Sequence, residues 1–190
     1  MLLRNSILML LDAFDGSIRG KTLLQKRLFF LQELLSEPLP MGFRAHYFGP
    51  YSDTISEEVG MLRSSGLVEE AAQSFGTIDP RGFERSRYDY RLTEDGKAAV
   101  AFLKLRYPEE AQCVQEAVAR LRSAGDPDYM ELSIAAKAYF ILRNAGDETL
   151  ELSDVAKEAK KFGWDVTEQQ IKKAAEFLQK LDLVHVTDDE

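Results

Sequence analysis

Two lysine pairs, Lys160-Lys161 and Lys172-Lys173, bracket a turn near the C-terminal end, and Gln169 and Gln170 stand just before the second pair. Glutamine amides near a helix start suit bidentate contact with adenine edges, and lysines one turn later suit phosphates or guanine. A second cationic group, Arg81, Arg85, Arg87 and Arg91, faces only Glu84 and Asp89, with Gly82 and Phe83 between. Arginines on such a loop can enter a minor groove or follow phosphates. The chemistry on offer is therefore recognition of double-stranded DNA by Lys160, Lys161, Gln169, Gln170, Lys172 and Lys173, with Arg81, Arg85 and Arg87 as a second contact. The plainer readings are a solvated helix face built from good helix formers, and an exposed hairpin kept soluble by mixed charge.

Residues that could do covalent chemistry are few. Cys113 lies beside Val114 and Ala117 on an amphipathic helix with no histidine near in sequence, which reads as a small buried thiol. His46, in an aromatic run near Tyr51 and Asp53, reads as a packed or hydrogen-bonded histidine, and so does His185. One cysteine and two histidines supply neither a disulfide framework nor a soft ligand set for zinc. No Gly-x-x-x-x-Gly-Lys, Gly-x-Gly-x-x-Gly after a strand, Gly-x-Ser-x-Gly or His-Glu-x-x-His occurs. The expectation is a protein without catalytic residues, metal or cofactor. Tyr47, Phe48, Tyr51, Phe75 and Phe83 offer an aromatic partner surface, although such residues more often pack in a core.

Charge constrains the partners further. The chain has 190 residues, 45% of them apolar, with a net charge of -8. A whole-molecule polyphosphate binder is disfavoured. Residues 1–107 carry 14 basic and 14 acidic side chains, whereas residues 108–190 carry 10 and 18, so the whole imbalance lies in the second part. No apolar run reaches the length of a membrane span and the first residues lack a signal-peptide pattern, so a cytoplasmic protein without a membrane partner is expected.

The elements that would position these residues are mostly helical. Leu3, Ile7, Leu10, Leu11 and Phe14 recur at helical spacing up to Gly16. Leu24, Leu28, Leu31 and Leu35 mark a second helix, which leaves Gln25, Gln32 and Glu33 on other faces. Residues 43–48 have extended character before the Gly49-Pro50 turn. Ser52 should cap a third helix holding Ile55, Val59 and Leu62, with Gly66 at its end. A strand begins at Leu67-Val68, an irregular loop of about 15 residues follows, and a second strand covers Tyr88 to Leu92. Thr93 should cap a helix from Glu94 to Tyr107, delimited by Pro108. Three helices and a two-stranded wing make a winged helix.

The second part reads as a helix from Glu109 to Leu121, a linker at residues 123–128, a helix from Ser133 to Asn144, and a helix-turn-helix. In the last of these Ser153 caps a helix ending at Phe162, and Trp164 plugs the turn. Thr167 caps the helix Glu168 to Leu181, which buries Ile171, Ala174, Ala175, Leu178 and Leu181, and residues 183–186 close as a strand. The fold class is thus mainly α with small β-wings: a winged-helix domain at 1–107, a connecting helix and linker at 108–128, and a second helix-turn-helix domain at 129–190.

The run from Gly20 to Gln32, then Phe43, Ala45, Tyr47, Gly49-Pro50-Tyr51-Ser52 and Leu67-Val68, resembles the uncharacterised prokaryotic YwgA-like family. It is similar, more distantly, to the Panacea antitoxin domain, with its leucine-glutamine-lysine helix and aromatic-x-glycine-proline turn. His46 stands where that family tends to carry Trp, and Tyr51 where it tends to carry Val. The resemblance covers about the first hundred residues and implies a winged-helix-like module that acts by binding, with no catalytic residues to carry over.

Two functions follow as expectations. One is a non-enzymatic DNA-associated regulatory or defence-linked protein. The other is a protein-interaction module, antitoxin-like or adaptor-like, whose acidic half docks a basic partner. The third helix speaks against DNA in the first half, because Asp53, Glu57 and Glu58 outweigh Arg63 where phosphates would approach. The spare amphipathic helices suggest a homodimer.

Overall fold

The computed structural model describes residues 2–35, 39, 41–78, 84–125, 127–146 and 151–185. Among them are eight helices and three strands: α1 (Leu3–Ala13), β1 (Ser17–Arg19), α2 (Lys21–Leu34), α3 (Asp53–Ser64), β2 (Val68–Ile78), β3 (Glu84–Leu92), α4 (Glu94–Arg106), α5 (Pro108–Ser123), α6 (Tyr129–Ala145), α7 (Leu152–Lys161) and α8 (Glu168–Lys180). The protein is mainly helical with one small antiparallel sheet, ordered β1-β3-β2. No helix is long and apolar enough to cross a membrane among the described residues.

Local chemistry accounts for most boundaries. The Ser52 hydroxyl accepts the Ile55 N–H at 3.1 Å and starts α3. The Thr93 hydroxyl accepts the Gly96 N–H at 2.9 Å and starts α4. Thr167 and Gln170 form a reciprocal capping box at α8. Two starts differ from expectation. The Asp128 carboxylate caps α6, accepting from Met130 and Glu131 at 2.8 and 2.9 Å, so this helix begins well before Ser133. Helix α7 is entered from Glu151, so Ser153 lies inside it rather than at its cap. Pro108 opens α5 at its first position, where a missing N–H costs nothing.

The sheet departs furthest from the sequence reading. Of the residues expected to form an irregular loop, 69–78 and 84–87 instead extend the two antiparallel strands, with a register irregularity between Ser74 and Ile78, and 79–83 lie outside the described residues. Strand β1, invisible to periodicity at three residues, pairs Ser17, Ile18 and Arg19 with Arg91, Tyr90 and Asp89. Residues 43–48 form no strand; the Arg44–Tyr51 bridge is their one ladder-like contact among the described residues. Residues 183–185 are not a strand either.

Helix α2 is buried continuously from Leu24 to Gln32, so Gln25 and Gln32 lie inside rather than on outward faces. The reason is that α2 has neighbours on every side: β1, β3, α5 and α6 all pack on it. Phe29 meets Tyr139 of α6 edge-on at 6.1 Å, and Phe30 meets Phe177 of α8 at 5.6 Å. Buried residues of both halves consequently form one continuous core. In α8, Ile171, Ala174, Phe177 and Leu178 are buried while Ala175 is half-buried.

Candidate functional site: the Gly49-Pro50 junction

The residues expected to read DNA are dispersed and partly committed elsewhere. Lys160 and Lys161 end α7, and Lys161 is paired with Glu158. Gln170 is engaged in its own capping box, its Oε1 accepting the Thr167 N–H at 2.9 Å. Gln169, Lys172 and Lys173 are exposed on α8. Arg87 lies on β3 rather than on a loop tip. Its guanidinium grips Asp89 through Nε at 2.7 Å and Nη2 at 2.9 Å, and Nη2 also donates to Gln73 at 2.5 Å. Arg85 belongs to β3, and Arg81, with Phe83, lies outside the described residues. Arg91 pairs with Glu69 at 3.6 Å.

Other cations of the first half are held in the same way. Arg44 donates to Asp53 through Nε at 3.0 Å and Nη2 at 2.8 Å, and Arg63 meets Glu70 at 3.1 Å. Glu70 also lies near the buried Tyr90, and burial followed by this carboxylate pushes the Tyr90 phenol well above its ordinary range. Arg63, Glu70 and Tyr90 line a cavity of about 100 Å³ between α2, α3 and the sheet, together with Lys21, Gln25 and Ser56. Glu70 neutralises Arg63, while Lys21 lies 5.3 Å from the Tyr51 ring, so the lining keeps one net positive charge.

A more organised site lies where α2 meets the turn after residue 48. The Gln25 amide forms a two-way bridge, donating to the Ser52 carbonyl at 2.9 Å and accepting the Ser52 N–H at 3.0 Å. One residue on, Lys26 is 1% exposed and donates from Nζ to the Pro50 carbonyl at 2.5 Å. Burial, and secondarily the nearby Lys137 ammonium, lower the Lys26 pKa to about 7. At neutral pH this side chain is poised between neutral and charged forms, and either form can donate to Pro50. Gly49 fits by two criteria: its φ of +92° is accessible to glycine, and a Cβ there would press on Lys137 and the Ser133 carbonyl.

The second half clamps the same loop. Trp164, 1% exposed, donates its indole N–H to the His46 carbonyl at 2.6 Å. Lys137 lies over the Trp164 ring at 5.6 Å, and Phe162 stacks on it at 4.8 Å. The expected role of Trp164 as the plug of the α7–α8 turn thus holds, with an added reach to the first half. His46 itself is exposed, its ring 5.0 Å from Tyr51, and His185 is exposed rather than packed. Cys113 is half-buried.

With its backbone held on both sides, the loop points two aromatic rings outward. Tyr47 is 70% exposed and Phe48 is 49% exposed, and the pair contact edge-to-face at 4.9 Å. The expectation that they would be core residues is corrected here: residues 49–50 are buried and Ser52 is pinned, so the preceding two residues are left at the rim. Tyr51 is half-buried. Gly49-Pro50 is legible in the sequence as a turn. Lys26 enters the sequence pattern only as part of the leucine-glutamine-lysine run, and the sign of its burial is its place between Leu24 and Leu28 on a helix buried all round.

No family model matches the chain. It is similar to the uncharacterised protein YwgA of Bacillus subtilis (strain 168), with 28% identity over 109 residues, covering 57% of this chain. The match spans 61% of that relative's length.

Proposed function

We propose that this chain is a non-enzymatic binding protein of winged-helix plan, a protein-interaction module of the antitoxin or adaptor kind that docks a basic partner. The order helix, strand, helix, helix, strand, strand, with β1 completing the hairpin sheet, supports the winged-helix description of residues 1–107. A second helix-turn-helix in α7 and α8 follows in residues 129–190.

The observation that carries the docking reading is the Tyr47–Phe48 pair. Aromatic side chains held on a rigid backbone lose little entropy on binding, which is why such residues dominate interface energetics. The overall charge adds to this: Glu57 is exposed on α3, Asp53 is taken up by Arg44, and the chain carries -8. A basic partner surface gains from both the aromatic faces and the carboxylates.

The test is a photo-crosslinking amino acid at position 47, with Lys180 as the control position, in cells that produce the protein. Crosslinks to one basic protein from position 47 alone are expected, and they should vanish when Phe48 is changed to Ser. Equal, diffuse crosslinking from both positions would overturn the reading.

A second reading, DNA association, is favoured by one observation: Lys160, Lys172 and Lys173 have no carboxylate in salt-bridge range among the described residues, and Gln169 is exposed beside them. Anisotropy of labelled duplex DNA at two salt concentrations tests it. Binding should weaken with salt by a log-log slope of about 0.9 per phosphate contact, and Lys172→Glu with Lys173→Glu should abolish it.

A further inference from the structure

The cavity between α2, α3 and the sheet takes one face from each of them. Lys21, Leu24 and Gln25 stand at i, i+3, i+4 on α2, and Ser56, Val59, Gly60 and Arg63 at i, i+3, i+4, i+7 on α3. The sheet supplies Glu70 and Tyr90, which lie directly opposite each other in the β2–β3 register. Gly60 leaves the room between these faces. It lies inside α3 without a positive φ, and a Cβ on it would meet nothing within 4 Å. Neither backbone nor packing requires a glycine there, and inside a helix it is less stabilising than alanine.

We propose that this room is a binding site for a short-chain monocarboxylate, its carboxylate between Lys21 and Arg63 and its hydrocarbon tail against Leu24, Ile55 and Val59. Three features select that ligand. The first is charge. Arg63 meets Glu70 at 3.1 Å, whereas Lys21 has no carboxylate in salt-bridge range among the described residues and its ammonium lies over the Tyr51 ring at 5.3 Å. One cation is left for one negative charge. The Glu70 carboxylate on the wall opposes a doubly charged ion such as phosphate. Tyr90 adds no second negative charge, because burial keeps its phenol protonated.

The second feature is polarity. Lys21 and Arg63 are exposed at the mouth, while Leu24, Ile55 and Val59 are buried. The cavity is therefore charged outside and apolar inside, the order of an anionic head and its tail. Arg63 uses Nη2 toward Glu70 and has further N–H groups for a carboxylate. The third feature is size. The volume is about 100 Å³. A cavity of roughly 150 Å³ takes benzene, so this one takes a chain of about three or four carbons.

Butyrate is the probe. Amide nuclear magnetic resonance shifts of the isotope-labelled full chain are followed while sodium butyrate replaces sodium chloride at constant ionic strength. Shifts should cluster at residues 21, 56, 60, 63 and 90 and saturate with a Kd of about 1 mM or tighter. Butyramide keeps the size and loses the charge, and phosphate keeps a charge and loses the tail. Each should bind at least about tenfold more weakly than butyrate. Lys21→Gln, at an exposed position, should weaken butyrate at least about tenfold with circular dichroism unchanged. Gly60→Leu should abolish the shifts by filling the space, and its urea midpoint should not fall, since leucine is the better helix former and meets open room. Equal binding of butyramide or phosphate would overturn the proposal, as would butyrate binding indifferent to Lys21→Gln or surviving Gly60→Leu. A lowered Gly60→Leu midpoint would overturn it too, by showing that the space is not open. So would the lack of saturable shifts at 20 mM butyrate, roughly twentyfold the expected constant.

Discussion

Lys26 couples the stability of the clamp to pH, and the sign follows from where its proton is lost. In the unfolded chain the ammonium titrates near 10.5, and in the fold near 7, because burial penalises the charge and Lys137 adds to it. Below pH 7 both states are charged and the penalty of burying an ammonium is fully present. Between 7 and 10.5 the unfolded chain holds a proton that the folded chain has released, so this residue's contribution to stability improves as pH rises. Lys26→Met removes the titration while keeping the stem. The wild type should therefore gain on the variant by up to about 1.4 kcal/mol per pH unit above neutrality, read from urea unfolding at pH 6, 8 and 9.5. A constant difference across that range would show that Lys26 titrates normally. Gln25-Lys26 of α2 and the Gly49-Pro50-Tyr51-Ser52 turn are thereby two sides of one clamp. Sequence spacing shows that a helix and a turn exist. It does not show that the Gln25 and Lys26 side chains fold inward, because burial of polar groups is decided by partners distant in sequence.

At the scale of elements, the caps at Ser52, Thr93 and Thr167 were legible, since each is a short-range exchange between a hydroxyl and the N–H groups just ahead of it. Strand β1 and the length of the hairpin were not, because three residues carry no period and a polar, glycine-bearing strand looks like a loop until its partner is in place. The start of α4 is a further joint of this type. The Thr93 N–H and hydroxyl both bind the chain at Gly66 and Leu67, and Gly96 lies so close that a Cβ would overlap the Leu67 carbonyl. Thr93→Ala should cost about 1 kcal/mol, the usual value of a lost cap. Gly96→Ala should cost more, about 2–3 kcal/mol, since the backbone of two elements must separate. Urea midpoints of the two variants check the order, and an alanine at 96 that is tolerated better than one at 93 would contradict the close approach.

For the whole molecule, the sequence shows where charge and linkers lie but not that the two halves share a core. That sharing depends on Phe29 and Phe30 of α2 finding Tyr139 of α6 and Phe177 of α8, contacts between residues more than 100 positions apart. Residues 1–107 expressed alone would leave this face in water, and also the side of α1 that α5 covers. Such a fragment should be aggregation-prone and lack a cooperative thermal transition, while the full chain melts in one step by calorimetry. Two separate transitions of the full chain would show that the halves are independent. The seam also carries its own optical reporter. Trp164 is the sole tryptophan, enclosed at the meeting of the two halves and tied to the carbonyl next to Tyr47. Its emission is therefore a single-site signal from the clamp, blue-shifted when the halves are closed and red-shifted when water enters, and a partner seated on the Tyr47–Phe48 rim can be followed in the unlabelled protein.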